Sequence, residues 1–186
     1  DTSDTILYAK DMDTTISPAG AVKIMTCLLA LENTQLTDEV TMTATGVSGV
    51  TDGGASISSQ VDEVFTVEQC LYAIMVASAN DIALQVAEHV GGSVDAFVQI
   101  MNTRAQELGC TNTVFTNPTG LPDENQHITA HDMALIMEAA MANDTFRTIA
   151  ATTSYTLPAT NVSGGERVLT NNFTMINSTS DGYYKP

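Results

Sequence analysis

The run Ala19-Gly20-Ala21-Val22-Lys23-Ile24-Met25-Thr26-Cys27-Leu28-Leu29-Ala30-Leu31 sets the strongest constraint on this chain. It is apolar on nearly every side, broken only by Gly20, Lys23 and Thr26. A helix without a polar face belongs in the interior of a protein. Ser17-Pro18 just before it reads as its start, with serine as N-cap and proline at the first helical position. The fold is therefore expected to wrap around this helix, and the helix carries an amine inward. Desolvation disfavours the charged form of such a lysine and lowers its pKa. A lysine so lowered can take a proton from a neighbouring hydroxyl. Taken alone, Lys23 fits better a lysine whose stem lies along apolar surface with its head in water than a catalytic one.

A chain of 186 residues, 44% of them hydrophobic, is enough for one domain with a sizeable core. No run approaches the length of a membrane-spanning helix, and no leader is visible ahead of residue 1, as in a processed secreted protein. The formal charge of -16, from 22 acidic and 6 basic residues, repels nucleic acid and anionic membranes. Most of those carboxylates read as a solvated surface. Three cysteines, Cys27, Cys70 and Cys110, show no zinc or redox spacing and imply no disulfide framework. Cys27 and Cys70 sit in apolar helical segments, as small core residues do. His127 and His131 are four apart, but His127 falls in a loop and no H-E-x-x-H pattern occurs. No metal site and no cofactor are expected.

The rest of the chain reads as strand, helices, then strands. Thr5–Lys10 alternates like an opening strand. A short strand is expected near Glu39–Met42, then a helical turn, then a loop over Asp52-Gly53-Gly54. Thr66-Val67-Glu68-Gln69 fits a capping box, opening a helix that breaks at Ser78-Ala79-Asn80. A second helix runs Asp81–Val90 and stops at Gly91-Gly92. Ser93 caps a third, with Gly109 past its end. Asn117-Pro118-Thr119-Gly120-Leu121-Pro122 is a turn-rich loop. Helices are expected over Thr129–Ala142 and Thr145–Ala150, and strands over Ser154–Leu157 and Arg167–Thr170.

Two segments carry chemistry. Gly20 and Lys23 stand three apart and share a helix face, near an N-terminus whose dipole favours developing negative charge. Ser78 and Asn80 converge only if the chain turns between helices, as the break there allows; a loop serine and asparagine can then relay a proton and hold an amide. Asn80 or Asp81 fits a plain helix cap as well. Together the segments resemble the S-x-x-K and S-x-N motifs of low-molecular-weight penicillin-binding proteins. More narrowly, the chain is similar to the D-alanyl-D-alanine carboxypeptidases. Ser17–Thr26, Val76–Gly92 and Asn117–Ile136 follow the family in order, so the resemblance covers nearly the whole chain.

The resemblance implies an α/β fold of α+β type: a β-lactamase/DD-peptidase-like antiparallel sheet flanked by helices, with an inserted helical lobe roughly over 34–145 and the site in the cleft between sheet and lobe. It implies that residues 1–186 are one transpeptidase-like catalytic domain. By the same resemblance Gly20 stands at the nucleophile position, where serine is expected. Lys23 is the general base, Ser78 the proton relay, and Asn80 a partner of the substrate amide and of the lysine. The implied substrate is a peptidoglycan stem peptide ending in D-Ala-D-Ala, cleaved through an acyl-enzyme outside the cytoplasmic membrane. β-Lactams are the implied inhibitors, and a C-terminal region absent from this chain is the implied membrane attachment.

Two departures from the family stand out. Gly20 lacks the hydroxyl, so it is an engineered change, a natural loss or a misassignment, and acylation is expected to fail. No K-T-G occurs, and the chain is expected to be incomplete after Tyr183-Tyr184-Lys185-Pro186, shortly before the strand that carries it. The rivals are a natural pseudoenzyme that binds wall peptide without cleaving it, and a β-lactamase of the same superfamily.

Overall fold

The structure is a computed structural model and describes residues 6, 8–48 and 54–176. The apolar run forms a 3-10 turn at Ala19–Ala21 that passes into helix α1, Val22–Asn33. Val22, Met25, Cys27, Leu28, Leu29 and Ala30 of α1 are all buried, as are Lys23 and Thr26. Each large apolar side chain removed from water in this way contributes about 1.5–3 kcal/mol, so the helix is a main source of stability and not a strut.

Around α1 the chain lays β1 (Glu39–Thr41), α2 (Ala44–Ser48), β2 (Val64–Thr66), α3 (Val67–Ala77), α4 (Asn80–Gly91), α5 (Val94–Glu107), α6 (Ala130–Met141), α7 (Asp144–Ala150), β3 (Ser154–Leu157) and β4 (Arg167–Thr170), ending in a 3-10 turn at Thr174–Ile176. Helices α3, α4, α5, α6 and α7 all pack on α1. Among the described residues the strands make two antiparallel pairs. β1 lies on β2 with Val40 opposite Phe65, and β3 on β4 with Tyr155 opposite Leu169. Helices with antiparallel strands are the α+β arrangement expected from the sequence.

Local chemistry accounts for the boundaries. Thr66 Oγ1 accepts from the Gln69 N–H while the Gln69 side chain accepts from the Thr66 N–H, a complete capping box at α3. Ser93, Thr129 and Asn143 cap α5, α6 and α7 with their side chains. At the α4–α5 junction, a Cβ at Gly91 would lie 2.7 Å from the Phe97 backbone nitrogen, so only glycine lets α5 turn back so tightly.

The β3–β4 hairpin is fastened by a buried carboxylate. Glu63 is fully buried; its Oε1 accepts from Arg167 Nη2 at 2.8 Å and from Thr160 Oγ1 at 2.5 Å, and its Oε2 from the Gln60 N–H. The Tyr72 and Tyr155 rings stack with centroids 3.9 Å apart, joining α3 to β3. Asp132, also buried, accepts from the Asn112 N–H at 2.8 Å and Thr113 Oγ1 at 2.7 Å, tying the start of the 111–122 segment to α6.

Three sequence expectations need correction. Ser17 does not cap the first helix. The cap is Pro18, no side chain bonds there, and Ser17 follows an extended pairing of Ile16 with Ile128 that fixes the entry direction. The expected strand over Thr5–Lys10 falls partly outside the described residues. Its described part (Ile6 and Tyr8–Lys10) is not a strand, with Tyr8 81% exposed and so nothing packed over it. The helix expected from Asp81 begins one residue earlier, at Asn80, so neither Asn80 nor Asp81 is its N-cap; Ala79 is. Of the loop expected over Asp52-Gly53-Gly54, only Gly54 is described.

Replacing Thr66 with Ala removes the cap acceptor of α3. Unfolding in urea is expected to show a loss of about 1 kcal/mol, with the slope unchanged because no other packing is disturbed.

Candidate active site

A cavity of about 450 Å³ opens beside the start of α1. It is lined by Gly20, Lys23 and Ile24 of the α1 region, Ile74, Met75 and Ser78 from α3 and its end, Met137 and Ala150 from α6 and α7, and Asn171 and Phe173 after β4. Gly20 and Ser78 are exposed at its rim. A Cβ built on Gly20 would lie 3.9 Å from Ser78 Oγ, an ordinary contact, with no other atom as near. The structure therefore brings Gly20, Lys23 and Ser78 to one hollow. Asn80 does not line it, although it lies two residues from Ser78. The cavity's walls come from helices and from the chain just past the hairpin.

Ser78 reaches the rim through an unusual backbone. It closes α3 in the left-handed region, φ 56°, after which Ala79 turns the chain into α4. Such a conformation costs a non-glycine residue on the order of 1 kcal/mol. It separates the two motif side chains, sending Ser78 to the surface and Asn80 inward, 4% exposed with its Oδ1 lacking any hydrogen-bond partner. The Asn80 N–H donates to the Ala55 carbonyl at 2.8 Å. Asp81, fully buried, accepts from Ser59 Oγ at 2.7 Å and Ser56 Oγ at 2.8 Å. These bonds fasten the 54–59 segment behind Ser78.

Lys23 is 5% exposed, and its Nζ donates to the Thr119 carbonyl at 2.6 Å. One turn on, Thr26 Oγ1 donates to the Pro118 carbonyl at 2.8 Å. The two polar interruptions of the apolar helix thus grip two successive carbonyls. The gripped loop is preformed: Asn117 Oδ1 accepts from the Gly120 N–H, the Thr119 N–H and Thr119 Oγ1, and its Nδ2 donates to the Leu121 carbonyl. Gly120 lies at φ 81°, and a Cβ there would fall 1.8 Å from the Ala19 carbonyl oxygen, so the loop seats against the residue before Gly20 only because position 120 has no side chain.

Burial pushes the Lys23 amine down from 10.5 to about 8. Burial pushes the Cys27 thiol up, so it stays neutral beside the amine. An amine lowered this far is partly neutral near pH 8 and can accept a proton there. Among the described residues no three His, Cys, Asp or Glu side chains gather as a metal site would require. His127 bonds within its own loop, and His131 lies 3.6 Å from Asp13 at the surface.

The sequence pattern singled out Gly20, Lys23, Ser78 and Asn80 but missed the 117–120 loop as the lysine's partner. The signal was present in Thr26: two hydrogen-bond donors one turn apart in an otherwise apolar helix require buried acceptors. Asn171 of the cavity wall had no signal in the sequence.

A family model described as D-alanyl-D-alanine carboxypeptidase matches residues 1–183. The chain belongs to this family. It is 38% identical over 136 residues to the D-alanyl-D-alanine carboxypeptidase DacF of Bacillus subtilis, an alignment covering 70% of the chain and 34% of that protein. To DacB2 of Mycobacterium tuberculosis it is 34% identical, covering 89% of the chain and 55% of the relative. The crystal structure of the Streptomyces K15 DD-transpeptidase superposes with TM-score 0.88 at 31% identity, over 96% of this chain and 73% of that one. These curated carboxypeptidase relatives are matched over a third to just over half of their length.

Two outcomes test the site. A lysine whose folded pKa lies below its unfolded one penalises the fold while both states are protonated. Between about pH 8 and 10.5 the unfolded chain binds more protons, so stability rises with pH. Over that interval wild type is expected to gain on Lys23→Met by roughly 1–3 kcal/mol, read from urea midpoints at each pH. Gly120→Ala is expected to cost at least about 3 kcal/mol, seen in thermal unfolding, because both the left-handed backbone and the Ala19 contact resist a methyl group.

Proposed function

We propose that the chain is the site-bearing part of a serine-type D-alanyl-D-alanine carboxypeptidase. It removes the terminal D-alanine from peptidoglycan stem peptides through an acyl-enzyme, and Gly20 holds the position of the nucleophile, so the chain as written does not acylate. The observation that carries this reading is the buried amine of lowered pKa beneath a rim made by Gly20 and Ser78. Family membership supports it.

The chemistry follows from the positions. Neutral Lys23, one turn from residue 20, takes the proton of a hydroxyl placed there as its oxygen attacks the scissile carbonyl. Ser78 Oγ, 3.9 Å from where a residue-20 Cβ would stand, passes a proton toward the leaving amine. Asn80, buried and off the cavity wall, supports the site through the backbone bond that holds the 54–59 segment. The apolar wall of Ile24, Ile74, Met75 and Phe173 suits the small methyl groups of D-alanine. β-Lactams, as cyclic acyl donors, occupy the same hollow. A wall substrate places the reaction outside the cytoplasmic membrane; among the described residues no helix is long and apolar enough to cross a membrane. We further assign residues 1–186 to one catalytic domain, with 34–145 as its helical lobe.

Gly20 itself favours a second reading, a natural pseudoenzyme that holds wall peptide without cleaving it. Serine at codon 20 of the gene would exclude that reading, and glycine would support it.

In a chain continued past Pro186 through a K-T-G strand, Gly20→Ser is expected to take a covalent fluorescent-penicillin label, and the Gly20 parent none. Label on the parent would show that the nucleophile lies elsewhere.

A further inference from the structure

We propose that Gly20 leaves this site competent for a different reaction: direct attack by an external nucleophile, water in the first instance, on a strained acyl donor bound in the cavity, with no acyl-enzyme. The inference rests on the roles proposed for Lys23 and Ser78, and it assigns the Gly20 chain an activity of its own.

Three observations carry it. The position of a residue-20 side chain is open: beyond its chain neighbours and its own helical backbone, Ser78 Oγ is the one atom within 4 Å of an ideal Cβ, at 3.9 Å. The opening is reachable, since Gly20 and Ser78 are both exposed while Lys23 is buried beside them and lines the same cavity. The supporting structure does not depend on a side chain at 20. Lys23 is held by the Thr119 carbonyl, and Gly120 lies close against the Ala19 carbonyl. Glycine therefore removes one CH2OH group and leaves the base, the relay and the apolar wall standing. The missing group has the heavy atoms of methanol, so a molecule of that size or smaller fits where the serine side chain would be.

The step balances without a further reactant. The oxygen of water bonds to the carbonyl carbon of the acyl donor as its proton passes to neutral Lys23 Nζ. The carbon–nitrogen bond of the donor then breaks. The leaving nitrogen takes the proton of Ser78 Oγ, which is replaced from the Lys23 ammonium. The products are the free acid and the amine, and the protein returns to its starting state in one displacement. A β-lactam is the suitable donor, because ring strain supplies driving force that an unstrained peptide lacks.

The test uses the Gly20 chain continued past Pro186 through a K-T-G strand, as in the labelling experiment, with a chromogenic cephalosporin, with and without added methanol. Ring opening above the buffer rate is expected, with no mass added to the protein, and methanol is expected to divert part of the product to the methyl ester. Lys23→Met is expected to lower the rate about 100-fold. Gly20→Ala is the decisive variant. Gly20 lies outside the left-handed region and has space for a methyl group, so the variant folds, yet the methyl takes the carbon half of the vacated space, 3.9 Å from Ser78 Oγ, and crowds the attacking water, and the rate is expected to fall about tenfold or more. Opening that is unchanged in Gly20→Ala, a covalent adduct on the parent, or no opening above buffer overturns the inference. If Gly20→Ser takes the penicillin label while the parent opens no cephalosporin, the carboxypeptidase reading stands and this inference alone falls. If Gly20→Ser takes no label, the reading beneath it falls.

Discussion

Two hydrogen bonds from α1 to one loop organise this molecule. Lys23 and Thr26 are the polar side chains within the buried stretch of an otherwise apolar helix, and they meet the Thr119 and Pro118 carbonyls. Buried donors must find acceptors, since leaving one unsatisfied costs on the order of 1–3 kcal/mol. The helix thus dictates where the 117–122 loop sits. The loop in turn dictates the site, because it covers the amine from one side and presses Gly120 against Ala19 next to the reactive position. Packing alone would allow the loop to slide; the paired donors fix its register.

Much of this was legible in the sequence because the relevant signals are local. The Thr66–Gln69 capping box, the Ser93 cap and the two final strands each depend on residues a few positions apart, and the structure places them as read. The failures have physical causes. Ser17 has the right identity for a cap, but its backbone is committed to following the Ile16–Ile128 pairing. Tyr8 belongs to a segment with strand-like alternation, yet a strand exists only where a partner supplies the other half of its hydrogen bonds.

The site shows the same division. Gly20 and Lys23 could be placed on one face from helical spacing alone. The divergence of Ser78 from Asn80 could not, because it turns on a single left-handed residue, and serine carries no strong signal for that conformation. The pairing of Lys23 with Thr119 spans 96 positions in sequence, and a carbonyl, which every residue has, leaves no mark in a sequence. Buried Asp81 and Glu63 were likewise unremarkable among so many acidic residues, although Asp81 holds Ser56 and Ser59 and Glu63 holds the β3–β4 hairpin.

The distance between Lys23 and its cover has a consequence for biosynthesis. While the chain is being made, Lys23 leaves the ribosome long before Thr119 and before the α6 and α7 residues Met137 and Ala150 that wall the same hollow. A nascent chain shorter than this is an exposed amphiphile with an ordinary, fully protonated ammonium at neutral pH. The lowered pKa of the amine is thus acquired only when the last third of the fold closes over it, so its neutral, nucleophilic form stays scarce on a chain that has not finished folding.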